Sequence, residues 1–469
     1  MKRDLRQWRR LANVVVMFAL LLVFTRTAAA QGEQPEVNAL DTVWVLVGAF
    51  LVFFMQAGFG FLEAGFVRSK NVVNIMAENF MDTTIATLGF IFFGFGLMFG
   101  TGNAFFGKEW FFLRGIPEVF PGTTLPTYAF FFFQFAFCAA GGAIASGMMA
   151  ERTNFKADML YSIVTSSLIY PVFGHWVWGG GWLAQLGYVD FAGSSVVHIV
   201  GACIGLAGTL MLGKRRDKVF GPSIRGHSIP LAALGTFILW FGWFGFNPAS
   251  VLSAEPFKIS HVVITTDFAA TTGAISAIFL SYYFTRKWDV SMAFNGALGG
   301  LVAITGGALF VTPMSALVIG AIAGGIAYFG VQLMEKLRID DPVGAFPVHG
   351  MNGMFGILAV GIWGTDGLGL LSGGGFTQLG IQALGIVACI AWAFPMAMGL
   401  FYLTKRTIGL RVSPEVEATG LDFPQHGLES YPEFDGIELR GIQVRDWGVD
   451  VPAPAPAADR GQLLAGAGD

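Results

Sequence analysis

The sequence predicts an all-α polytopic membrane protein of eleven transmembrane helices, the first ten forming an inverted five-plus-five helix repeat. Three observations predict it. Of 469 residues, 54% are hydrophobic and 13% charged, and the mean hydropathy is +0.62, more apolar surface than one soluble core buries. Apolar runs close to the ~20 residues of a bilayer crossing recur along the chain. One frame of Asp, Gly, His and Gly is written twice, five segments apart.

The N-terminus is set aside first. Residues 1–30 begin MKRDLRQWRR, continue as an apolar run from Leu11 to Phe24, and close on TRTAAAQ. This basic, apolar and small-residue succession is that of a secretory signal peptide cleaved after Ala30, with an uncleaved first helix as the other reading. The membrane domain, residues 31–405, holds segments near 42–66, 71–100, 128–150, 157–178, 190–213, 229–252, 260–285, 289–311, 313–335, 342–364 and 376–404. The 64 glycines and 47 phenylalanines suit helices that approach closely at small residues and fill the remaining space with rings.

Orientation follows from the basic loops. Arg68 and Lys70, Arg152 and Lys156, Lys214 to Lys218 with Arg225, Arg286 and Lys287, Lys336 and Arg338, and Lys405 and Arg406 fall in alternate connections. The intervening loops carry only Lys108, Arg114 and Lys258. By the positive-inside rule the chain sits in the cell membrane with its mature N-terminus outside and residues 406–469 as a cytoplasmic tail. Residues 407–433 of that tail are mixed in character and able to order against the cytoplasmic loops, while VPAPAPAADRGQLLAGAGD is low-complexity. A net charge of −3 gives no field for nucleic acid. Cys138, Cys203 and Cys389 lie in apolar runs too far apart to suggest a disulfide framework or a zinc site. With no soluble catalytic domain, neither an enzyme nor a cofactor is expected.

The doubled frame carries the chemistry. DFAGSSVVHIVGACIG starts at Asp190 and DPVGAFPVHGMNGMFG at Asp341. They open the fifth and tenth segments, which run in opposite directions, so a two-fold axis in the membrane plane relates the halves. Each Asp stands at a helix entrance, where a carboxylate caps free N–H groups and meets the positive end of the dipole. Eight residues on, at about 1.5 Å each, His198 and His349 reach about 12 Å inward from opposite faces of a core about 30 Å thick. They meet near the midplane. Two neutral imidazoles can share one proton between them and present their outer nitrogens to a lumen; a single buried His is otherwise a packing group. For Asp341, beside Arg338 and Asp340, capping is the reading. For Asp190, on the outer side, capping and guidance of a cation both stand.

DFAGSSVVH, the upstream HWVWGGG, WFGFNPAS from Trp243 and DDPVGAFPVHG together resemble the ammonium transporter family, which includes the Rh glycoproteins, over about residues 42–430. The resemblance implies a homotrimer with a conduction path in each subunit. It implies that His198 and His349 are the twin pore histidines and that Phe137 and Phe246 form the outer gate. It places ammonium recruitment at Trp178, Phe133 and Ser250. Ammonium can rest on aromatic faces and donate to a hydroxyl oxygen, whereas potassium donates no hydrogen bond. A full charge does not cross an apolar constriction cheaply, so the implied sequence is recruitment, deprotonation near the gate, and ammonia passage along the histidines with or without separate proton transfer. Taken singly, Phe133 and Phe137 read as packing, Trp178 as an interfacial belt residue, and Ser250 as bonded to a carbonyl of its own helix.

Departures and rivals complete the reading. Gly344 stands where many relatives place a second acid. Glu63, Glu78 and Asp82 are intramembrane acids outside the family pattern, which mark either a functional group or an inter-helix hydrogen bond; a structural network, within or between subunits, is the favoured reading and function the other. A sensor of the same fold, signalling through its tail to a nitrogen-regulatory signal protein, is the principal alternative. A cytochrome with His198 and His349 as axial haem ligands is another. Potassium conduction lacks a filter such as TVGYG.

Overall fold

A computed structural model describes residues 36–221 and 224–432. The expected signal peptide and the Pro-Ala end of the tail lie outside the described residues. Nine helices among the described residues are long and apolar enough to cross a membrane. In chain order the first three are α1 (Ala39–Phe66), α2 (Ser69–Phe99) and α3 (Thr127–Met149). The fourth expected segment, α4, is two helices, Phe155–Val164 and Tyr170–Val177, joined by the π-helical turn Thr165–Ile169. Then come α5 (Ser194–Leu212), α6 (Ile229–Val251) and α7 (Pro256–Thr285). The eighth, α8 (Val290–Thr305), has 16 residues. The chain closes with α9 (Pro313–Lys336), α10 (Phe346–Trp363) and α11 (Thr377–Thr407). No β-strand occurs among the described residues.

Small residues set the closest helix pair. On α1, Gly48 faces Ala249 of α6 so closely that an added Cβ would stand 2.2 Å from the alanine methyl, and one on Gly235 of α6 would stand 2.2 Å from the Leu62 amide nitrogen. Lipid gives helices no hydrophobic reason to associate, so backbone approach of this kind supplies the contact through dispersion. Helix α3 lies at the centre, with 94% of its most apolar window buried, while α11 lies at the periphery with 33%. The central position of α3 matters because it delivers Phe133 and Phe137.

The end of the bundle that carries the basic loops is tied by buried charge. Glu151 accepts from the Arg68 amide (2.9 Å) and pairs with the guanidinium of Arg68 and with Arg215 (3.3 Å), which also pairs with Asp340 (2.9 Å). Arg68 also pairs with Asp217. Burial alone would raise the Asp340 pKa, but hydrogen bonds and charge from Arg215, then the charge of Arg152, bring it down to about 2. The fully buried Arg152 guanidinium donates to the carbonyls of Ala150 (2.8 Å), Met148 (3.2 Å), Gly213 (3.0 Å) and Asp340 (2.8 Å). The mixed part of the tail orders here. Arg411 pairs with Glu417 (2.8 Å), Glu417 accepts from the Arg216 amide (2.7 Å), and Asp422 accepts from the Asn74 amide (2.8 Å).

Candidate functional site

The two copies of the repeated frame fold alike. Asp190 Oδ1 accepts from the amides of Gly193 (2.9 Å) and Ser194 (2.8 Å), and Oδ2 from those of Ser195 (2.7 Å) and Val196 (3.0 Å) and from the Ser195 hydroxyl (2.6 Å). Asp341 Oδ1 accepts from Gly344 (3.0 Å) and Ala345 (3.1 Å), and Oδ2 from Phe346 (2.9 Å). Each acid therefore satisfies the orphan amides of the helix that follows it. Each frame's glycine makes the turn in a conformation that side chains rarely adopt, φ +115° at Gly193 and +74° at Gly344. With both Asp190 oxygens occupied and the residue 4% exposed, capping accounts for this carboxylate without a free oxygen for a cation.

A uniform rise of about 1.5 Å per residue does not describe the path from acid to histidine. Residues 190–193 are not helical, and the first turns of α5 and α10, Ser194–Ile199 and Phe346–Met351, are π-helical. Such turns concentrate at functional positions because they swing a side chain off the regular helical face. Both contain the histidine. His198 and His349 meet Nδ1 to Nδ1 at 3.2 Å, with ring centroids 5.2 Å apart and planes 25° from parallel. One nitrogen must donate and the other accept, so the contact holds a single shared proton. His198 Nε2 is buried and has no hydrogen-bond partner among the described residues. The haem reading fails here, because a macrocycle cannot fit between rings in direct hydrogen-bonded contact.

Aromatic rings close one side of the pair. Phe137 and Phe246 stack at 4.0 Å between centroids, and Phe246 lies 5.6 Å from His198 at 20°. Phe133 packs on Phe137 at 4.6 Å, and Trp178 meets Phe137 edge-on at 6.2 Å. Trp178 Nε1 donates to the Asp190 carbonyl (2.7 Å), which fixes the indole against the cap of α5. The Ser250 hydroxyl donates to the Phe246 carbonyl (2.8 Å), the helix back-bond weighed above. That bond consumes its hydrogen and leaves oxygen lone pairs that can accept.

Sequence reasoning missed Trp243. Its ring stacks on His198 at 5.4 Å and 20°, and its Nε1 donates to Thr305 Oγ1 (2.9 Å). The sequence carried half of the signal, since Trp243 stands three residues before Phe246 and therefore on the same helix face, but not the ring it would meet. Sequence reasoning also missed Asp158, fully buried beside Asp82. Glu63, Glu78 and Asp82 find partners inside the chain: Glu63 accepts from Asn79 (2.7 Å), Glu78 from Asn74 (2.8 Å), and Asp82 from Ser162 and from Tyr161 (3.3 Å). His175, to which the sequence assigned nothing, bridges the carbonyls of Met98 and Asn103 at 2.8 Å each.

Fold and site together define a polytopic helical membrane transporter. Residues 43–431 match the Ammonium Transporter Family. The chain is 42% identical to ammonium transporter Amt2 of Archaeoglobus fulgidus over 90% of its own length and 95% of the relative's, and 36% identical to an ammonium transporter of Bacillus subtilis over 84% and 98%. Among solved structures it is similar to a protein named Sensor Amt Protein, with a TM-score of 0.79, 40% identity, and coverage of 82% of this chain and 98% of that one. It is also similar to Mep2 of Saccharomyces cerevisiae, with a TM-score of 0.74, 30% identity, and coverage of 81% and 89%. The chain belongs to the ammonium transporter family.

Proposed function

We propose that this protein moves ammonium selectively across the cell membrane by separating the ion into ammonia and a proton at an aromatic gate. The observation that carries the reading is the unbroken succession of Phe137, Phe246, His198 and His349, stacked and then hydrogen-bonded. Ammonium is recruited on the faces of Trp178 and Phe133, where Ser250 Oγ accepts one N–H. The rings of Phe137 and Phe246 offer no hydrogen bond to replace hydration, so the charged form is stopped and its proton is given up. Ammonia passes along the imidazoles, donating to one ring and accepting from the next, and Trp243 holds the first ring flat against the path. Asp190 and Asp341 position the two histidines through the turns they cap.

The wider arrangement goes with this reading. We place residues 1–30 as a signal peptide, 31–405 as the transporter domain and 406–469 as a cytoplasmic tail. The halves relate as an inverted five-plus-five repeat, and the subunit assembles as a homotrimer in lipid, with its tail open to a nitrogen-regulatory signal protein. A second reading, an ammonium sensor, is favoured by the similarity to Sensor Amt Protein and by the tail's packing on the basic loops.

Solid-supported-membrane electrophysiology tests both. Ammonium pulses on wild-type proteoliposomes should evoke a transient that potassium pulses do not, and His198→Ala and His349→Ala should abolish or alter it. Equal responses to potassium would sink the selectivity. Ammonium binding without current or methylammonium uptake would favour the sensor.

A further inference from the structure

Against His349 the bundle leaves a chamber of about 20 Å³, lined among others by Phe59, Glu63, Asn295, Leu298, Val343 and His349. About 10–15 Å³ measured this way holds one water, so the chamber accommodates one molecule of ammonia's size. Two of its groups have capacity left over. Glu63 Oε2 accepts from Asn79 (2.7 Å) and Ser146 (3.4 Å), while Oε1 has no hydrogen-bond partner among the described residues. Oε1 occupies space that only a glycine at 147 leaves open, since a Cβ there would stand 2.7 Å from it. His349 gives Nδ1 to His198, which leaves Nε2 as its remaining ring nitrogen. The ionisable groups facing Glu63 are Glu78 and Asp82 on α2, Asp341 at the start of α10, and His349 across the chamber; none is a lysine or arginine.

Resting on the transport reading above, we propose that Glu63 is the residue that returns a proton to ammonia at the inner end of the pore. An N–H bond forms as the Glu63 O–H bond breaks, leaving a carboxylate beside an ammonium ion in the chamber. The ion leaves inward. The carboxylate regains its proton through His349, which relays, by way of the contact with His198, the proton that the entering ammonium gave up at the gate. One ammonium enters, one leaves, and one charge crosses per cycle. A carboxyl group suits this step because it can hold either the proton or the cation, and the chamber places one small molecule against it.

The test uses the full-length protein in proteoliposomes, as wild type, Glu63→Gln and Glu63→Asp. Glutamine keeps the size and an acceptor for Asn79 but carries no carboxyl proton. Ammonium-evoked charge movement should fall about a hundredfold in Glu63→Gln, as for loss of a positioned acid–base group, and its pH dependence should flatten. Glu63→Asp should keep a smaller, pH-dependent current. Ammonium-induced infrared difference spectra of the wild type should contain a carboxyl C=O band that Glu63→Gln lacks. A Glu63→Gln current of wild-type size and pH profile overturns the proposal and leaves the transport reading intact. A wild type with neither current nor methylammonium uptake overturns the transport reading itself. Should Glu63→Gln not assemble, the infrared band of the wild type decides, and its absence refutes the proposal.

Discussion

The frames at Asp190 and Asp341 reach the same backbone solution with unequal means. Four amides and one hydroxyl converge on Asp190, but only three amides converge on Asp341. Around the first frame, Ser194 Oγ donates to the Val302 carbonyl (2.7 Å) and accepts from the Gly306 amide (2.6 Å), bonding α5 to α8 and its end, and Tyr188 donates to Ser195 Oγ (2.9 Å). The second frame has Ala345 and Phe346 at these positions, neither with a hydroxyl to make such an anchor. The surroundings of the histidines differ as well: His198 lies under Trp243 and Phe246, His349 beside Phe59 and a chamber with a carboxyl wall. A repeated backbone thus fixes where the imidazoles meet, and unlike neighbours make the two sides of the pair distinct.

The largest test of that contrast is Asp190→Ala against Asp341→Ala. Each orphaned buried group costs about 1–3 kcal/mol, so the five lost at Asp190 should prevent recovery of an assembled protein on size-exclusion chromatography, whereas Asp341→Ala should be recovered with a lower Tm. The reverse order would break the comparison. Next come the turns. Alanine in the left-handed region costs about 1–3 kcal/mol, and Gly193 at +115° lies further from that well than Gly344 at +74°. Gly193→Ala should therefore lower Tm more than Gly344→Ala in the same detergent.

A third test leaves the path alone and addresses the basic end. The folded pKa of Asp340, about 2, lies below the unfolded value of about 3.9. Its contribution is therefore complete above about pH 4 and is lost as pH falls toward 2. Asp340→Asn should melt lower at neutral pH and lose that acid-sensitive component, with ammonium selectivity unchanged. The smallest effect is expected at Ser250→Ala. Loss of one acceptor worth about 1 kcal/mol should raise KM about fivefold with the maximal rate unchanged, which concentration-dependent currents would check.

Sequence patterning made the helical membrane fold legible because lipid requires each span to be long and apolar. The doubled frame identified both histidines and both caps, since their spacing is local. What stayed hidden depends on how helices pack. Trp243 shared a quoted run with Phe246, yet nothing in one strand of sequence says that its ring lies on His198. Asp158 sits beside Asp82 through the packing of α4 on α2, and sequence distance carries no trace of that. The π-helical first turns of α5 and α10 were equally invisible, because an extra residue shifts only the phase of a helical pattern, and spans this uniformly apolar show little phase to shift.

Arg152 has a mechanical consequence. Its guanidinium links the end of α3, the loop after α5 and the loop before α10, all in a dry setting, and Arg215 adds a second tie to Asp340. Swinging one half of the bundle against the other would break these buried links and leave their charges unpaired. On the transport reading proposed above, a protein fastened this way favours a nearly static corridor over alternating access, with side-chain rotations and proton hops as the moving parts.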